Sequence, residues 1–363
     1  MALHKYTGEM NVTSSGDNLR VAVVGGGMAG MAAARTLADQ NADVMVFDKG
    51  RGPGGRMSTR RQDDLWFDHG AQYFTTKDER FERLVESWVH DGIAGRWRGR
   101  IGQMNSVGTI TETSNDRVRY VGIPGMNAVV RHLVETLGGH GEVRFGVRVV
   151  TTHFAEGRWS LKDDKNTDLG MFDAVIVALP APQAADLLID SPKLRDQAIS
   201  VRMRPCWSAM VSFDARVPID FDGVFVNLES GLDSAPLSWV ARDSSKPKRP
   251  PRETWVLHAS PGWSEANIER DKDEVAHELL RAFFEALRVP ASPTITLKTH
   301  RWRFANTDQR TNEGCLVDRE RLIAACGDWA HGGRVEGAYL SGVAAAGSVL
   351  SEVVRRARER PQS

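Results

Sequence analysis

The residues with the plainest chemistry are four glycines and one acid. Gly25, Gly26, Gly27 and Gly30 follow the apolar run Val21 to Val24 and lead into an Ala-rich segment, Met31 to Asp39. Asp48 comes eighteen residues after Gly30, at the end of the second apolar run Val44-Met45-Val46-Phe47. The pattern predicts strand, tight turn, helix, strand, the order that binds a dinucleotide. Gly25 permits the turn, and Gly27, with Ala29 close after it, lets backbone N–H groups approach a pyrophosphate. Gly30 lets the helix lie close on the sheet, and Asp48 accepts hydrogen bonds from a ribose hydroxyl. A glycine triplet alone is often only a tight turn. The flanking runs and the spaced acid favour the nucleotide.

Lys49 leads into a second glycine-rich stretch, Gly50-Arg51-Gly52-Pro53-Gly54-Gly55-Arg56-Met57-Ser58. It reads either as a flexible basic loop or as a phosphate-facing segment in which the Arg56 guanidinium grips phosphate oxygens. Its place after Asp48 favours the second. Near the other end, the apolar run Arg321 to Cys326 gives Cys326-Gly327-Asp328-Trp329, then Gly337-Ala338 opens a long Ala-rich helix to about Arg358. An acid at a strand's carboxyl end beside a glycine turn belongs at a nucleotide crevice, and a helix starting with small residues brings its positive end to a ligand. Segments so far apart suggest one extended dinucleotide. FAD fits better than NAD, whose domain is usually contiguous.

Several elements must position these groups. The run Phe172 to Pro180 is apolar throughout, as expected of a central parallel strand covered on both faces. Val143 to Val150 reads as one strand that carries position 148, Arg148, to the cofactor, and Trp159 to Lys162 pairs with Gly170 to Asp173 as a hairpin. Helices are expected over Glu79 to Val89, Ala128 to Leu137 and Lys272 to Leu287. Strands are expected over Ala209 to Phe213, Val224 to Asn227, Leu237 to Ala241, Thr254 to Ala259 and Thr294 to Phe304, with short ones in 95–121. Ser244 to Arg252 reads as a Lys/Pro-rich surface loop. The expected class is α/β: a discontinuous Rossmann-like FAD-binding domain (20–75, 140–182 and 313–358) with an α+β substrate domain (76–139 and 183–312). Residues 1–19 form a polar extension without the apolar core of a secretory signal.

Composition narrows the partners. The 363 residues carry 47 basic and 47 acidic side chains, so no charge excess draws nucleic acid or an anionic membrane. Apolar runs fall short of the roughly 20 residues that span a bilayer, and the chain reads as soluble. Cys206, Cys315 and Cys326 form no CxxC pair and no zinc spacing. That suits a reducing cytoplasm and excludes a dithiol relay; each reads as a small buried hydrophobe, and no metal site is expected.

The sequence resembles the amine-oxidase-like FAD superfamily, in which an acid is followed after a few residues by Gly-Gly-Arg, here Asp48 and Gly54-Gly55-Arg56. More closely it is similar to the renalase family of the bacterial type. The likeness rests on Asp68, Gly70-Ala71-Gln72-Tyr73-Phe74-Thr75, Pro124-Gly125-Met126, Trp239, Ala241-Arg242, Ser245-Lys246-Pro247, His300-Arg301-Trp302, Cys326-Gly327-Asp328-Trp329 and Gly333-Arg334-Val335-Glu336-Gly337-Ala338. It runs from about Arg20 to Leu350, in order.

The resemblance implies an amine-oxidase or p-hydroxybenzoate-hydroxylase architecture and non-covalent FAD. Gln72 and Tyr73 then line the isoalloxazine, and Asp328, Glu336 and Gly337, with Ala338, hold the ribityl and ring end. It implies oxidation of the 2- or 6-dihydro isomers of NAD(P)H to NAD(P)+, with O2 reduced to H2O2. Hydride transfer to the flavin needs no side-chain acid or base, only a flat slot. Tyr73, Phe74, Trp97 and Trp302 are candidate walls, and Thr75 and Arg301 candidates for orienting carboxamide or phosphates, though each aromatic serves equally well as core. His258 reads as a core histidine or as one facing substrate. His69 receives no role. An amine donor is the competing reading, with no lysine placeable beside the flavin, since Lys246 and Lys248 fall in the Pro-rich loop. A non-catalytic NAD(P) sensor is the third.

Overall fold

The computed structural model describes residues 18–113, 117–226, 233–308 and 312–359. Two sheets organise the chain. The first has six strands in the order Leu316–Asp318, Ile323–Ala325, Ala174–Val177, Arg20–Val24, Asp43–Asp48, Gly141–Phe145, all parallel except the first. Its central strands are apolar on both faces because both are covered. Val21, Val23, Ala174 and Ile176 point into a core shared with helices Met28–Ala38 and Val335–Glu359. Their neighbours Ala22, Val24, Val175 and Val177 point into a second core with Trp159, Leu161 and Phe172 of a three-stranded antiparallel sheet. Strand alternation thus feeds both layers from one run of sequence.

The second sheet has seven strands, ordered Thr294–Thr307, Met203–Phe213, Glu253–Ala259, Leu237–Arg242, Gly223–Phe225, Ile101–Met104, Ile110–Glu112. Trp207, Ala209, Val211, Val240, Trp255 and Leu257 pack on helix Lys272–Leu287. That helix begins at Asp271, whose carboxylate accepts the N–H groups of Asp273 and Glu274. The alternate residues face the other way, and in-register pairing puts Trp239, His258, Ser208 and His300 in one row across four strands.

Four expectations need correction. The strand foreseen over Val143 to Val150 is two: Gly146, at φ +74°, turns the chain after Gly141–Phe145, and Val149–Ala155 joins the antiparallel sheet instead. The first helix starts at Met28, with Gly27 as its N-cap. The strand near Val224 is Gly223–Phe225, and Asn227 lies outside the described residues. The Lys/Pro-rich loop is not all surface, since Lys246 and Arg249 are buried.

The C-terminal helix Val335–Glu359 is long and apolar enough, by length and composition alone, to cross a bilayer. Much of that apolar surface is used internally: Gly337, Leu340, Ala345, Ala346 and Val349 are buried. A Cβ on Gly342 would stand 2.0 Å from the Ala29 carbonyl oxygen, so only glycine lets the first and last helices touch there.

Candidate functional site

At the carboxyl end of Arg20–Val24 the chain turns at Gly25, φ +112°, where a Cβ would lie 2.5 Å from Ala178 O. A Cβ on Gly30 would lie 1.8 Å from Gly25 O, so the helix is as close to the turn as backbone permits. Gly27 has open space around it, and no side chain caps the helix it begins. N–H groups at an uncapped helix start, with room in front of them, suit a phosphate. Asp48 accepts from the N–H groups of Gly26 (2.5 Å) and Gly50 (2.6 Å). Each carboxylate oxygen has a second lone pair, which leaves capacity for a ribose hydroxyl.

The second glycine loop lies against the first: Gly55, at φ +52°, faces the Cα of Gly27. Met57 is buried beneath it. Lys49 is exposed, and partial desolvation followed by the charge of Arg148 lowers its pKa. Arg56, expected to face phosphate, instead forms a two-pronged pair with Asp328 (2.6 and 3.2 Å) and donates to Ala305 O (3.1 Å). The ion pair joins the N-terminal loop to the C-terminal segment across the crevice. Glu336 accepts from the N–H groups of Lys77 and Asp78 at 2.6 and 2.8 Å, so its carboxylate fastens the last helix to the 77–78 segment. Gly337 is required there because a Cβ would meet His331 O at 1.7 Å; Ala338 packs on the adjoining core.

Behind Gln72 is a group of charges that local sequence reading missed. Asp68, Asp243, Lys246 and Arg249 are all buried. Lys246 Nζ donates to Asp243 (2.5 Å), Asp68 (3.2 Å) and Gln72 Oε1 (3.3 Å). Asp68 also accepts from Arg249 (2.5 Å), Thr59 (2.6 Å) and the Met126 N–H (2.9 Å). Burial alone would raise the Asp68 pKa, but Lys246 and Arg249 hold it well below the carboxylate range. Asp243 is pushed up by burial and by Asp68. Gln72 donates to the carbonyls of Asp68 and Gly70, so its amide is fixed on both sides.

The predicted walls separate into two groups. Tyr73, Trp97 and Trp239 meet with ring centroids 5.9 to 6.4 Å apart, and Phe225 lies 4.5 Å from Trp239. Trp97 is oriented by donating to Ser245 Oγ at 3.0 Å. Trp302 donates to His69 O (2.9 Å) and stacks on the His69 ring. Phe74 does not join them: it bridges Tyr120 outside any strand and is buried between Phe81 and Tyr120. Arg301 is also elsewhere. It alternates with His300 and Trp302, lies over Trp207 on the helix-covered face, and is held by Ile268 O and Glu269. Thr75 is half-buried beside Phe74.

His258 is half-buried in the row beside Trp239, and desolvation there pushes its pKa down to about 4. Its ring bonds the His69 backbone, while Nε2 has no partner. Trp239 Nε1 and Ser208 Oγ in the same row are also buried without partners. Such atoms are costly unless a ligand or water meets them.

Residues 23–88 match the NAD(P)-binding Rossmann-like domain, and residues 109–350 match the flavin containing amine oxidoreductase family. Among solved structures, the chain is similar to a protein from Exiguobacterium sp. 255-15 whose naming as a protoporphyrinogen oxidase is itself provisional (TM-score 0.71, 14% identity, 94% of this chain and 99% of that one). It is also similar to a fatty acid isomerase of P. acnes that produces CLA (TM-score 0.67, 12% identity, 91% and 98%) and to putrescine oxidase bound to putrescine (TM-score 0.62, 14% identity, 92% and 100%). These identities show the fold alone. A zeta-carotene-forming phytoene desaturase of Myxococcus xanthus is 44% identical over 59 residues, which is 16% of this chain and only 11% of the desaturase.

Proposed function

Because the chain belongs to the flavin containing amine oxidoreductase family, we propose that it is an FAD-dependent oxidase of the bacterial renalase kind, acting on dihydronicotinamide rings reduced at position 2 or 6. FAD is the cofactor, and the open, uncapped helix start at Gly27, with the spare lone pairs of Asp48, fits its diphosphate and ribose. In this reading residues 20–75, 140–182 and 313–358 hold FAD without a covalent bond, and 76–139 and 183–312 supply the substrate face. Bound FAD supplies the two-electron acceptor, and O2 finally takes the electrons as H2O2.

One observation carries the choice of substrate: the aromatic group of Tyr73, Trp97 and Trp239 adjoins uncharged, unpartnered polar atoms, Trp239 Nε1 and His258 Nε2. The nearby carboxylates Asp68 and Asp243 are already engaged by Lys246 and Arg249. A flat neutral ring bearing a carboxamide is suited by such a surface: aromatic faces stack it, an N–H meets its oxygen, and an imidazole nitrogen accepts from its NH2. Among the described residues an ammonium there would find no free counter-charge. Tyr73 and Trp97 hold the ring, Trp302 closes the side near His69, and the fixed amide of Gln72 faces the flavin. No residue removes a proton, because hydride leaves a ring carbon directly.

The amine reading gains one observation, a buried lysine next to Gln72. However, Lys246 spends its donors on Asp68, Asp243 and Gln72, so it is neither a free base nor a holder of water. The deciding experiment is anaerobic stopped-flow with separate 2-, 4- and 6-dihydro isomers and with primary amines and polyamines. Rapid bleaching by the 2- or 6-isomer, little by ordinary 4-dihydro NADH and none by amines is expected. Bleaching by amines alone overturns the proposal, and bleaching by none of them leaves a binding protein.

A further inference from the structure

Cys315 and Cys326 belong to no CxxC pair, but the six-stranded sheet brings them together. Its edge strand Leu316–Asp318 runs antiparallel to Ile323–Ala325, with Leu316 opposite Ala325 and Val317 opposite Ala324. One further step along both strands sets Cys315 opposite Cys326. Their side chains leave the sheet on the same side: Cys315, Val317, Ala324 and Cys326 all meet the core shared with the last helix, whereas Leu316, Ile323 and Ala325 turn to the other core.

The backbone fixes the kind of pair. Cys326 donates its N–H to Val177 O at 3.0 Å, on the neighbouring parallel strand, so that N–H is not shared with Cys315. The two cysteines therefore stand at a non-hydrogen-bonded position of the antiparallel register. At such positions Cα atoms are about 4.5 Å apart, inside the roughly 4.4–6.8 Å that a disulfide spans. Both sulfurs are thiols in this structure. Cys315 is half-buried, with Sγ 3.6 Å from Ser348 Oγ of the last helix, and Cys326 is fully buried. Cys206 lies apart from them, in strand Met203–Phe213 of the other sheet.

We infer that Cys315 and Cys326 form an oxidisable thiol pair, which a hydroperoxide closes into a cross-strand disulfide. This does not rest on the reaction proposed above, although the H2O2 formed there is an oxidant of this class. The Cys315 thiolate, the one that solvent reaches, attacks a peroxide oxygen, so that an S–O bond forms, the O–O bond breaks and the other oxygen leaves as water after taking a proton. Cys326 sulfur then attacks Cys315 sulfur; the S–S bond forms, and the hydroxyl departs with the Cys326 proton as a second water. Two thiols lose two electrons and one peroxide gains them. Burial raises the pKa of both thiols, which keeps the first step slow. The second step is intramolecular and outruns further peroxide. Cys326 leads directly into Gly327 and Asp328, whose carboxylate holds Arg56, so the bond ties the edge strand to one side of the crevice.

The test exposes folded, FAD-loaded protein to H2O2, counts thiols after denaturation and maps the bond by mass spectrometry. The count should fall from the three thiols of the sequence to that of Cys206 alone. Tryptic peptides 311–319 and 322–334 should appear as one species that dithiothreitol separates. In Cys326→Ser, Cys315 should give a sulfenic acid that dimedone traps, and in Cys315→Ser the buried Cys326 should stay reduced. Cys206→Ala should leave the yield of the bond unchanged. Oxidised wild type should melt a few degrees above the reduced form, because the link restrains the unfolded chain. Three thiols surviving peroxide, a sulfinic acid on Cys315 of the wild type in place of the bond, or a bond between two chains overturns the proposal.

Discussion

Lys246 shows what a single side chain does at the centre of this molecule. It is buried against two carboxylates and the Gln72 amide, and it lies 5.7 Å from the centre of the Trp97 ring. Removing one member of a buried ion cluster leaves uncompensated charge, which costs about 3–5 kcal/mol. Lys246→Met should therefore destabilise the fold by that order in urea titrations, and Lys246→Met/Asp243→Asn should recover much of the loss because the surplus carboxylate goes with the ammonium. A single variant within about 1 kcal/mol of wild type, the scale of an ordinary hydrogen bond, would show that Arg249 alone balances both acids. None of this was legible locally. Ser-Ser-Lys-Pro-Lys-Arg-Pro-Pro has the composition of a solvated loop, and the Asp68 partner lies 178 residues away. Only the family resemblance, which includes Asp68 and Lys246, marked the residues.

Secondary-structure elements were easier to read than side-chain directions. The glycines and Asp48 act within one strand-turn-helix-strand unit, and helix Lys272–Leu287 follows its apolar period without error at either end. Side-chain direction was the harder matter: Arg301 sits one residue from His300 and Trp302 in its strand, so alternation turns it away, and Phe74, in no strand, is drawn to Phe81 and Tyr120. The same dependence on close geometry makes a prediction about helices. Gly342→Ala puts a carbon 2.0 Å from the Ala29 carbonyl oxygen, and backbone cannot swing aside as a side chain would. The first helix must shift, at about 1–3 kcal/mol for overpacking, and FAD affinity should fall with it because Ala29 lies in the first turn of the helix proposed to meet the diphosphate. Gly347→Ala, in the same helix with open space around it, should be neutral or stabilising by up to about 1 kcal/mol. Thermal melts and flavin content of the two purified variants distinguish this from general intolerance of alanine in that helix.

At the scale of the whole molecule, the equal numbers of basic and acidic residues conceal an uneven response to acid. Burial, followed by neighbouring charges, holds His69 down to about 3 and His300 to about 4, and burial holds His258 to about 4. In the unfolded chain each titrates near 6.5. Between those values the unfolded chain binds more protons than the folded one, so stability is full above pH 6.5 and is lost as pH falls towards 4. His258 and His300, each half-buried, contribute at most about 3 kcal/mol apiece, since each pKa unit is worth about 1.4 kcal/mol and solvent reaches part of both rings. The lowered carboxylate Asp68 adds its own loss only below about pH 4, so the two effects separate on the pH axis. Urea titrations at pH 7.5, 6 and 5 should show unfolding free energy falling through this range, and His69→Phe should flatten the slope by removing one titrating ring while keeping its stack on Trp302. A stability profile flat from pH 7.5 to 5 would mean that these imidazoles take up protons when folded, and that their surroundings are wetter than the packing implies.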